Sequence, residues 1–442
     1  MQHSRTRALR WLAEIALILI VVAVAAPVFA TADARRDGDE ALKIGSSGFF
    51  QTLFIRHDFS EEAWPDGYET RTHPMIVRYV LGGWLTAHGY DIAAVSGRYD
   101  HSRKWTTNVE MGNAPSEPML REARVPMRAL AVVCAVLLYG VVRIAVGPVG
   151  GQLGGLAAAL LMAGSPYLNL HLVRAKGDVV LLTFLLASLM TGVLAIKRSS
   201  ARGPSLGWGV LTGLLLGLAL GSKLTAILAL VAVMVWGAWA TWMTLGGIRM
   251  VPGLRGLARF GWLSPPAESS GDTVEPSVPG PPPRRGWLLW APMVVLVAYL
   301  VFVVSNPYLY RDPLGRTVIM LQDRAQEMAR EASVDPERAV TTLQQRIKLV
   351  WYWSLMEDTW GDSQLRWSIE MPLALAGLGI LLVRFLLRGR AEDAWLLLWV
   401  VGIYGGVTWG LGYLLDHYFV PTATMTLLLS GLAIGWGAGW LW

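Results

Sequence analysis

The sequence has a single cysteine and few charged residues. Of its 442 residues, 54% are hydrophobic and only 16% are charged. Cys134 lies in an apolar stretch, where we expect it to pack, so the chain offers neither an internal disulfide nor a cysteine-based metal site. Such a composition leaves too little polar surface for a water-soluble globular protein. We therefore expect lipid to be part of the solvent of this chain.

Signatures of soluble nucleotide enzymes and of nucleic-acid binders are also missing. There is no P-loop and no dinucleotide fingerprint. The formal net charge is +6, but the basic residues stand beside the ends of apolar blocks and are not interleaved with aromatic residues. They indicate membrane topology and no nucleic-acid partner. The absence of a sequence repeat also counts against transporters built from internal repeats.

Long apolar blocks are what the sequence does have. An uncharged block of about 18 residues or more can cross a bilayer as a helix, which satisfies its own backbone hydrogen bonds. The first block follows Arg5, Arg7 and Arg10; we interpret it as an uncleaved span, the alternative being a signal peptide. The sequence thus predicts an all-α, polytopic transmembrane helical bundle of about ten spans, at 9–31, 127–147, 151–168, 178–196, 207–221, 224–244, 287–305, 371–388, 394–413 and 418–440.

Basic residues between the spans predict the topology. If the N-terminus is cytoplasmic, Arg143, Lys197 and the group from Arg384 to Arg390 all fall on the cytoplasmic side, as the positive-inside rule requires. This predicts a multi-pass protein of the plasma (inner) membrane, with a Pro-rich, disordered cytoplasmic linker at 245–286. The extracytoplasmic face then carries a large first outer loop at 32–126, with an amphipathic surface helix at 76–87, and a second outer segment at 306–370.

Polar residues gather at the outer ends of several predicted spans. A carboxylate fixed there, directly after the first span, could accept a proton from an attacking hydroxyl. Basic groups could bind a phosphate. A carboxylate at the start of a span is energetically costly unless it forms an ion pair. We expect an ion pair between Arg174 and Asp178. The polar residues at these outer ends, taken together as candidate site residues, are Asp39, Glu40, His73, Arg78, Arg174, Asp178, Lys223, His417 and Tyr418.

Each of these residues also has a structural interpretation. Charges after a span can simply stop it at the interface, and a His beside a Pro is often a turn residue. A lysine can extend to lipid headgroups. The acids, bases and cations nevertheless fall on one predicted face, at the ends of several different spans. That pattern indicates a site for a phosphate-linked lipid.

At these residues the chain resembles the GT-C glycosyltransferases, in the branch that contains protein O-mannosyltransferases and the bacterial lipid A aminoarabinose transferase. Asp39-Glu40 looks like the acidic pair that these enzymes carry after the first span. His73-Pro74 with Arg78 resembles the basic motif of the mannosyltransferases, although Met75 and Val77 replace its second Pro and its Gly. The Gly/Ala-rich third span, Arg174 with Asp178, and the glycine-rich run that ends at Lys223 follow in the family's order.

The resemblance implies inverting transfer of a sugar from a polyprenyl-phosphate donor to a lipid, glycan or protein acceptor at the outer face. Residues 1–442 would form one GT-C-like membrane domain, whose first outer loop is catalytic. The resemblance makes Asp39 the general base with Glu40 supporting it, and Arg78, Arg174 and Lys223 the phosphate-binding cations. His73, Asp178, His417 and Tyr418 would bind substrate.

Two other classes of function stay open at the level of the sequence. A lipid or solute transporter, such as a flippase, predicts essential polar residues near the bilayer midplane. An assembly protein predicts that Asp39 is dispensable. The clustered carboxylates are compatible with a divalent metal, but hard cations need more ligands than a linear cluster supplies.

Overall fold

The computed structural model describes residues 2–32, 35–95, 97–199, 204–244, 286–355 and 369–441. Its helices follow in chain order as α1 to α17. They are Gln2–Thr31, Gly38–Gly45, Tyr68–Thr72, Ile76–Ala87, Trp105–Glu110, Glu117–Val146, Pro148–Gly164, Pro166–Leu172, Gly177–Lys197, Leu206–Ser222, Ile227–Thr244, Gly286–Val304, Pro313–Val334, Leu343–Leu355, Glu370–Arg388, Ala391–Gly410 and Val420–Leu441. Apart from one isolated bridge between Ala339 and Tyr413, these residues show no β-structure.

The apolar blocks predicted as spans all fold as helices, which confirms the all-α bundle. Six described segments are long and apolar enough to cross a bilayer, and a bent pair of helices, α7 and α8, would be a seventh. Two further apolar helices, Leu206–Ser222 and Leu288–Val304, are shorter, and α16 carries Glu392 and Asp393 in its first turn. The chain is an integral membrane protein. We call the end of the bundle at which α1 reaches Thr31 the upper end.

The third predicted span is broken. Pro148–Gly164 and Pro166–Leu172 meet at an angle of 72°. Ser165 lies between them with extended backbone, and its hydroxyl accepts a hydrogen bond from Leu168 N at 3.1 Å. This side chain caps α8, while Pro166 supplies no backbone N–H to continue the preceding helix. Residues 169–172, which follow the predicted third span, are therefore helical as well.

Glycines allow α7 to pack closely against α17. A Cβ atom added to Gly154 would lie 2.2 Å from the carbonyl oxygen of Gly431, and one added to Gly150 would lie 2.0 Å from that of Gly435. Small residues let two helix backbones approach where no larger side chain fits. This contact ties the lower part of the third span to the middle and lower part of α17, the helix that follows His417 and Tyr418.

The first outer loop folds onto the bundle instead of lying apart from it. Asp37 caps α2, accepting a hydrogen bond from Asp39 N at 2.9 Å. Helix α4 spans Ile76–Ala87, as predicted, but its inner face is buried against α2, α6 and α10. Helix α6 begins at Glu117, ten residues before the predicted span, because an amphipathic segment continues the apolar helix without a break.

The second outer segment contributes the amphipathic helix α13, which crosses the upper end, and α14, which packs on α16 and α17. The predicted linker at 245–286 lies outside the described residues, except for Gly286 at the start of α12. Residues 356–368 of the second segment, and Asp33 in the acidic group, also lie outside them.

Candidate active site

A cavity of about 320 Å³ lies at the upper end of the bundle. The cavity walls are formed by helix α2, the His73-Pro74 turn, α13, the ends of α9, α10, α11 and α16, and the segment 415–418 before α17. Its polar side includes Asp39, Lys43, His73, Lys176, Asp178, Lys223, Arg324, Glu327, Glu331, His417 and Tyr418. Its apolar side includes Leu224, Ile227, Leu228, Val407, Leu411 and Leu415. The structure thus brings together six of the nine predicted site residues.

Asp39 lies on the cavity-facing side of α2 with its carboxylate about half exposed. Its Oδ2 atom is 3.1 Å from Lys176 Nζ. Burial opposes ionisation of Asp39, but the positive charge of Lys176, in ion-pair contact, holds the pKa of Asp39 well below its usual range. Asp39 is therefore an ionised carboxylate at neutral pH.

Lys176 lies between two carboxylates of the first outer loop. Its Nζ atom is 2.5 Å from Asp37 Oδ2, in addition to the contact with Asp39. The Lys176 ammonium therefore offsets the negative charge of both Asp37 and Asp39. Across the described ranges, no three His, Cys, Asp or Glu side chains converge in a way that could hold a metal ion.

Asp178 and Lys223 form an ion pair within the cavity wall. Asp178 is the second residue of α9 and is buried, and its Oδ1 atom accepts from Lys223 Nζ at 2.6 Å. Lys223 also lies 5.5 Å from the centre of the Tyr418 ring. The predicted Arg174–Asp178 pair is wrong, because Arg174 binds Asp37 instead, at 3.2 Å. Sequence proximity suggested one partner, and the packing of α10 against α9 supplies another.

His73, His417 and Tyr418 complete the predicted residues of the cavity. His73 Nδ1 is 2.6 Å from Thr72 Oγ1, and burial with the nearby cations lowers the pKa of His73 well below its usual value. His417 Nδ1 is 3.7 Å from Asp416 Oδ1. The Tyr418 hydroxyl accepts a hydrogen bond from Arg324 at 2.7 Å. A neutral His73 can donate or accept a hydrogen bond with a bound substrate.

Glu40 is fully buried and does not line the cavity. Arg124 of α6 donates to both of its carboxylate oxygens, at 2.9 and 2.6 Å. The backbone N–H of Ala175 donates a third hydrogen bond, at 2.8 Å. Glu40 thus joins α2 to α6 and to the segment that carries Lys176.

Arg78 is also fully buried, away from the cavity. It forms an ion pair with Glu69 and donates a hydrogen bond to the Glu69 carbonyl oxygen at 2.9 Å. A longer hydrogen bond, at 3.4 Å, reaches the carbonyl oxygen of His73. In this arrangement Arg78 holds the turn that presents His73.

Arg174 lines a second polar recess beside the first cavity, together with Arg35, Asn169 and Asp416. Its Nη1 atom contacts Asp37, whose other neighbour is Lys176. Arg174 is therefore separated from the main cavity by this acidic wall. Three predicted residues, Glu40, Arg78 and Arg174, thus support the cavity from behind.

Sequence reasoning missed several residues that line the cavity. Lys43 stands four residues after Asp39, the spacing of one helix face. Arg324, Glu327 and Glu331 lie on the cavity side of α13, where their spacing of three, four and seven residues is also that of one helix face. Glu331 Oε2 is buried without a hydrogen-bond partner. Burial and the neighbouring Glu327 raise its pKa above the usual value. Helical periodicity in the second outer segment is the signal that could have found this group.

Comparison with known proteins gives a family match over part of the chain. Residues 119–249 match the model of the family described as dolichyl-phosphate-mannose-protein mannosyltransferase. No curated protein matches the sequence.

Solved structures of an archaeal oligosaccharyltransferase show the same fold at low sequence identity. An archaeal oligosaccharyltransferase, AglB from Archaeoglobus fulgidus in complex with an inhibitory peptide and a dolichol-phosphate, matches with a TM-score of 0.50 and 12% identity, over 95% of this chain and 50% of that one. The Archaeoglobus fulgidus oligosaccharyltransferase tethered with an acceptor peptide gives 0.52 and 14%, over 95% and 49%. ArnT from Cupriavidus metallidurans bound to undecaprenyl phosphate gives 0.48 and 14%, over 95% and 59%.

This chain spans about half the length of the oligosaccharyltransferases that it matches. With the family-model match, their shared fold confirms the predicted resemblance to GT-C glycosyltransferases.

Proposed function

We propose that this protein transfers a sugar from a polyprenyl-phosphate donor to an acceptor, with inversion, at the extracytoplasmic face of the plasma membrane. The observation that carries the proposal is the division of the cavity into a charged side, with Asp39 and Lys223, and an apolar side between α11 and α16. A phosphate-linked lipid likewise has a charged phosphate end and an apolar chain. The family match and the dolichol-phosphate bound to the archaeal enzyme of the same fold support this choice.

The proposed reaction is a single displacement. The acceptor's nucleophilic oxygen attacks the anomeric carbon from the face opposite the phosphate, and its proton passes to the Asp39 carboxylate. The bond between the anomeric carbon and the phosphate oxygen breaks, and the phosphate leaves with the electron pair. Cations fixed in the cavity, such as Lys223, stabilise the negative charge that develops on the leaving phosphate.

Binding and orientation come from the remaining residues of the cavity. His73, Asp178, His417 and Tyr418 surround the space in which a sugar would sit, and all can form hydrogen bonds with hydroxyl groups. Glu40, Arg78 and Arg174 hold α2, the His73 turn and the Lys176 segment in place. We assign them positioning roles because their charged groups already have partners outside the cavity.

Transfer of radiolabelled sugar tests the proposal directly. Membranes that contain the wild-type protein would be given a panel of polyprenyl-phosphate sugars, with endogenous lipid, glycan and protein acceptors present. We expect label to move from at least one donor into an acceptor fraction, in excess of membranes without the protein. Failure with every donor in the panel would contradict the proposal.

The apolar side of the cavity gives a second test, at Gly410. This residue ends α16 and lines the cavity, and a Cβ added to it would have no heavy atom within 4 Å. The Cβ atom of a leucine therefore meets open space, and the leucine adds bulk to the wall that is proposed to hold the lipid chain. We expect Gly410→Leu to lower transfer from a long-chain donor about tenfold, equivalent to roughly 1.4 kcal/mol of binding, and to affect a short-chain donor much less.

Gly405→Leu is the matched control for this substitution. Gly405 lies on the same helix, is exposed, does not line the cavity and also has open space around an added Cβ. We expect this variant to match the wild type with both donors. An equal loss of transfer for long and short donors in Gly410→Leu would show that this wall does not hold the lipid chain.

A further inference from the structure

Charge pairing inside the cavity distinguishes one lysine from the other cations. Lys176 is paired with Asp37 and Asp39, Lys223 with Asp178, and Arg324 with Glu327. Lys43 lines the same cavity, yet no carboxylate among the described residues forms an ion pair with it. The carboxylates closest to its charge, Glu69 and Asp39, are engaged by Arg78 and Lys176.

Charged groups of both signs surround Lys43, and the carboxylates among them are already paired with other cations. Burial and the nearby Arg78 and Arg324 lower the pKa of Lys43, whereas Glu69 and Asp39 raise it. Burial lowers the pKa of His73, and the cations Lys43, Arg78, Arg324 and Lys223 lower it further. Lys43 is partly buried at the cavity wall, and the charged form of a partly desolvated lysine without an ion partner is stabilised by a bound anion. This part of the cavity therefore gains from an anion that the described residues do not supply.

We propose that Lys43 binds the phosphate of the polyprenyl-phosphate donor. This inference rests on the proposed function and adds to it a residue that neither the sequence motifs nor the family resemblance identified. A phosphate at Lys43 meets an ammonium whose charge is not already neutralised. A phosphate bound first at Lys223 would instead approach the Asp178 carboxylate, which lies 2.6 Å from that ammonium.

The position of Lys43 also suits the geometry of the reaction. Lys43 lies one helical turn after Asp39 on α2, so both side chains line the same cavity from one short, capped helix. The base and the cation that holds the leaving group are thereby fixed relative to each other. Binding of the donor phosphate at Lys43 places the sugar within reach of the side chains on α2.

Binding of a polyprenyl monophosphate to the purified full-length protein tests this assignment without requiring turnover. We would measure the Kd for a radiolabelled C55 polyprenyl phosphate and for the matching polyprenol, which lacks the phosphate, with inorganic phosphate as a competitor. We expect Lys43→Met to raise the Kd for the polyprenyl phosphate roughly 10- to 100-fold, the range for one lost charge-assisted hydrogen bond. Lys43→Arg should restore part of the affinity, and polyprenol should bind equally weakly to all variants.

Lys104→Met is the matched control. Lys104 is an exposed lysine of the same outer loop that lies outside the cavity, so its loss should leave the Kd unchanged. Competition by inorganic phosphate alone at low concentration would indicate a site for free phosphate instead of the lipid. An unchanged Kd in Lys43→Met would overturn the assignment, as would wild-type protein that binds polyprenol as tightly as its phosphate. Neither result would bear on sugar transfer, which the labelled-sugar assay measures separately.

Discussion

Replacing Asp39 with asparagine is expected to lower the rate of sugar transfer about 10²- to 10⁴-fold, the usual contribution of a general base. Asparagine keeps the size of the side chain but cannot take up the acceptor's proton. The variant should fold normally, because Lys176 retains its 2.5 Å contact with Asp37. Initial rates with the donor that the wild type uses, measured at equal amounts of folded protein, provide the measurement.

Glu62→Gln is the control for this substitution. Glu62 is an exposed carboxylate in the same loop, outside the cavity, so its neutralisation changes the charge of the loop but removes no cavity group. We expect wild-type rates from it. Equal rates in Asp39→Asn and the wild type would exclude Asp39 as the base and would direct attention to Glu331, the cavity carboxyl with an unpartnered oxygen.

The pH dependence of transfer should also reflect the environment of Asp39. The neighbouring cations hold its pKa well below the usual aspartate value, so Asp39 stays ionised throughout the mildly acidic range. The ion pair with Lys176 therefore contributes its full stabilisation above the pKa of an unfolded aspartate, and this contribution is lost progressively as the pH falls from that value through the folded-state pKa. A loss of activity between pH 5 and 7 would thus arise from another group.

The helical bundle could be predicted from the sequence because each span is encoded locally. About twenty consecutive apolar residues are sufficient to form a span whatever lies next to it. The amphipathic helix at 76–87 is also encoded locally, and its predicted bounds are those of α4. The sequence did not predict the break at Ser165 because the residues on both sides of it are mostly apolar. The early start of α6 was missed because its first turns are amphipathic.

The candidate site could be predicted only in part because ion pairing is not local. The chemical types at Arg78 and Arg174 suit a phosphate, but whether a cation is available depends on which carboxylate folds against it. Glu40 and Arg124 are 84 residues apart in sequence, and Asp178 and Lys223 are 45 apart. Lys43, by contrast, carries no motif and is distinguished only by the absence of a described ion partner. Sequence reasoning finds the charged groups of such a site, and the fold decides which of them can meet a substrate.

Loss of the Glu40–Arg124 pair is expected to have the largest effect on stability. Glu40→Gln removes the negative charge of the buried Glu40–Arg124 pair, and breaking a buried pair in this way costs about 3–5 kcal/mol. The backbone N–H of Ala175 would also lose an ionised acceptor. The measurement is the Tm of the purified protein, together with the yield of monodisperse protein after extraction.

An exposed ion pair between the same two regions supplies the control. Arg36 and Glu117 also join the acidic segment to α6, at 2.9 Å, but their side chains are 50% and 38% exposed. Solvent screens such a pair, so Glu117→Gln should cost no more than about 1 kcal/mol. If Glu40→Gln kept the wild-type Tm and yield but lost transfer, Glu40 would act on the reaction through Asp39 and not on the fold. If it lost stability while its surviving folded fraction retained the wild-type rate, the buried pair would be structural, and Asp39 would act without its neighbour.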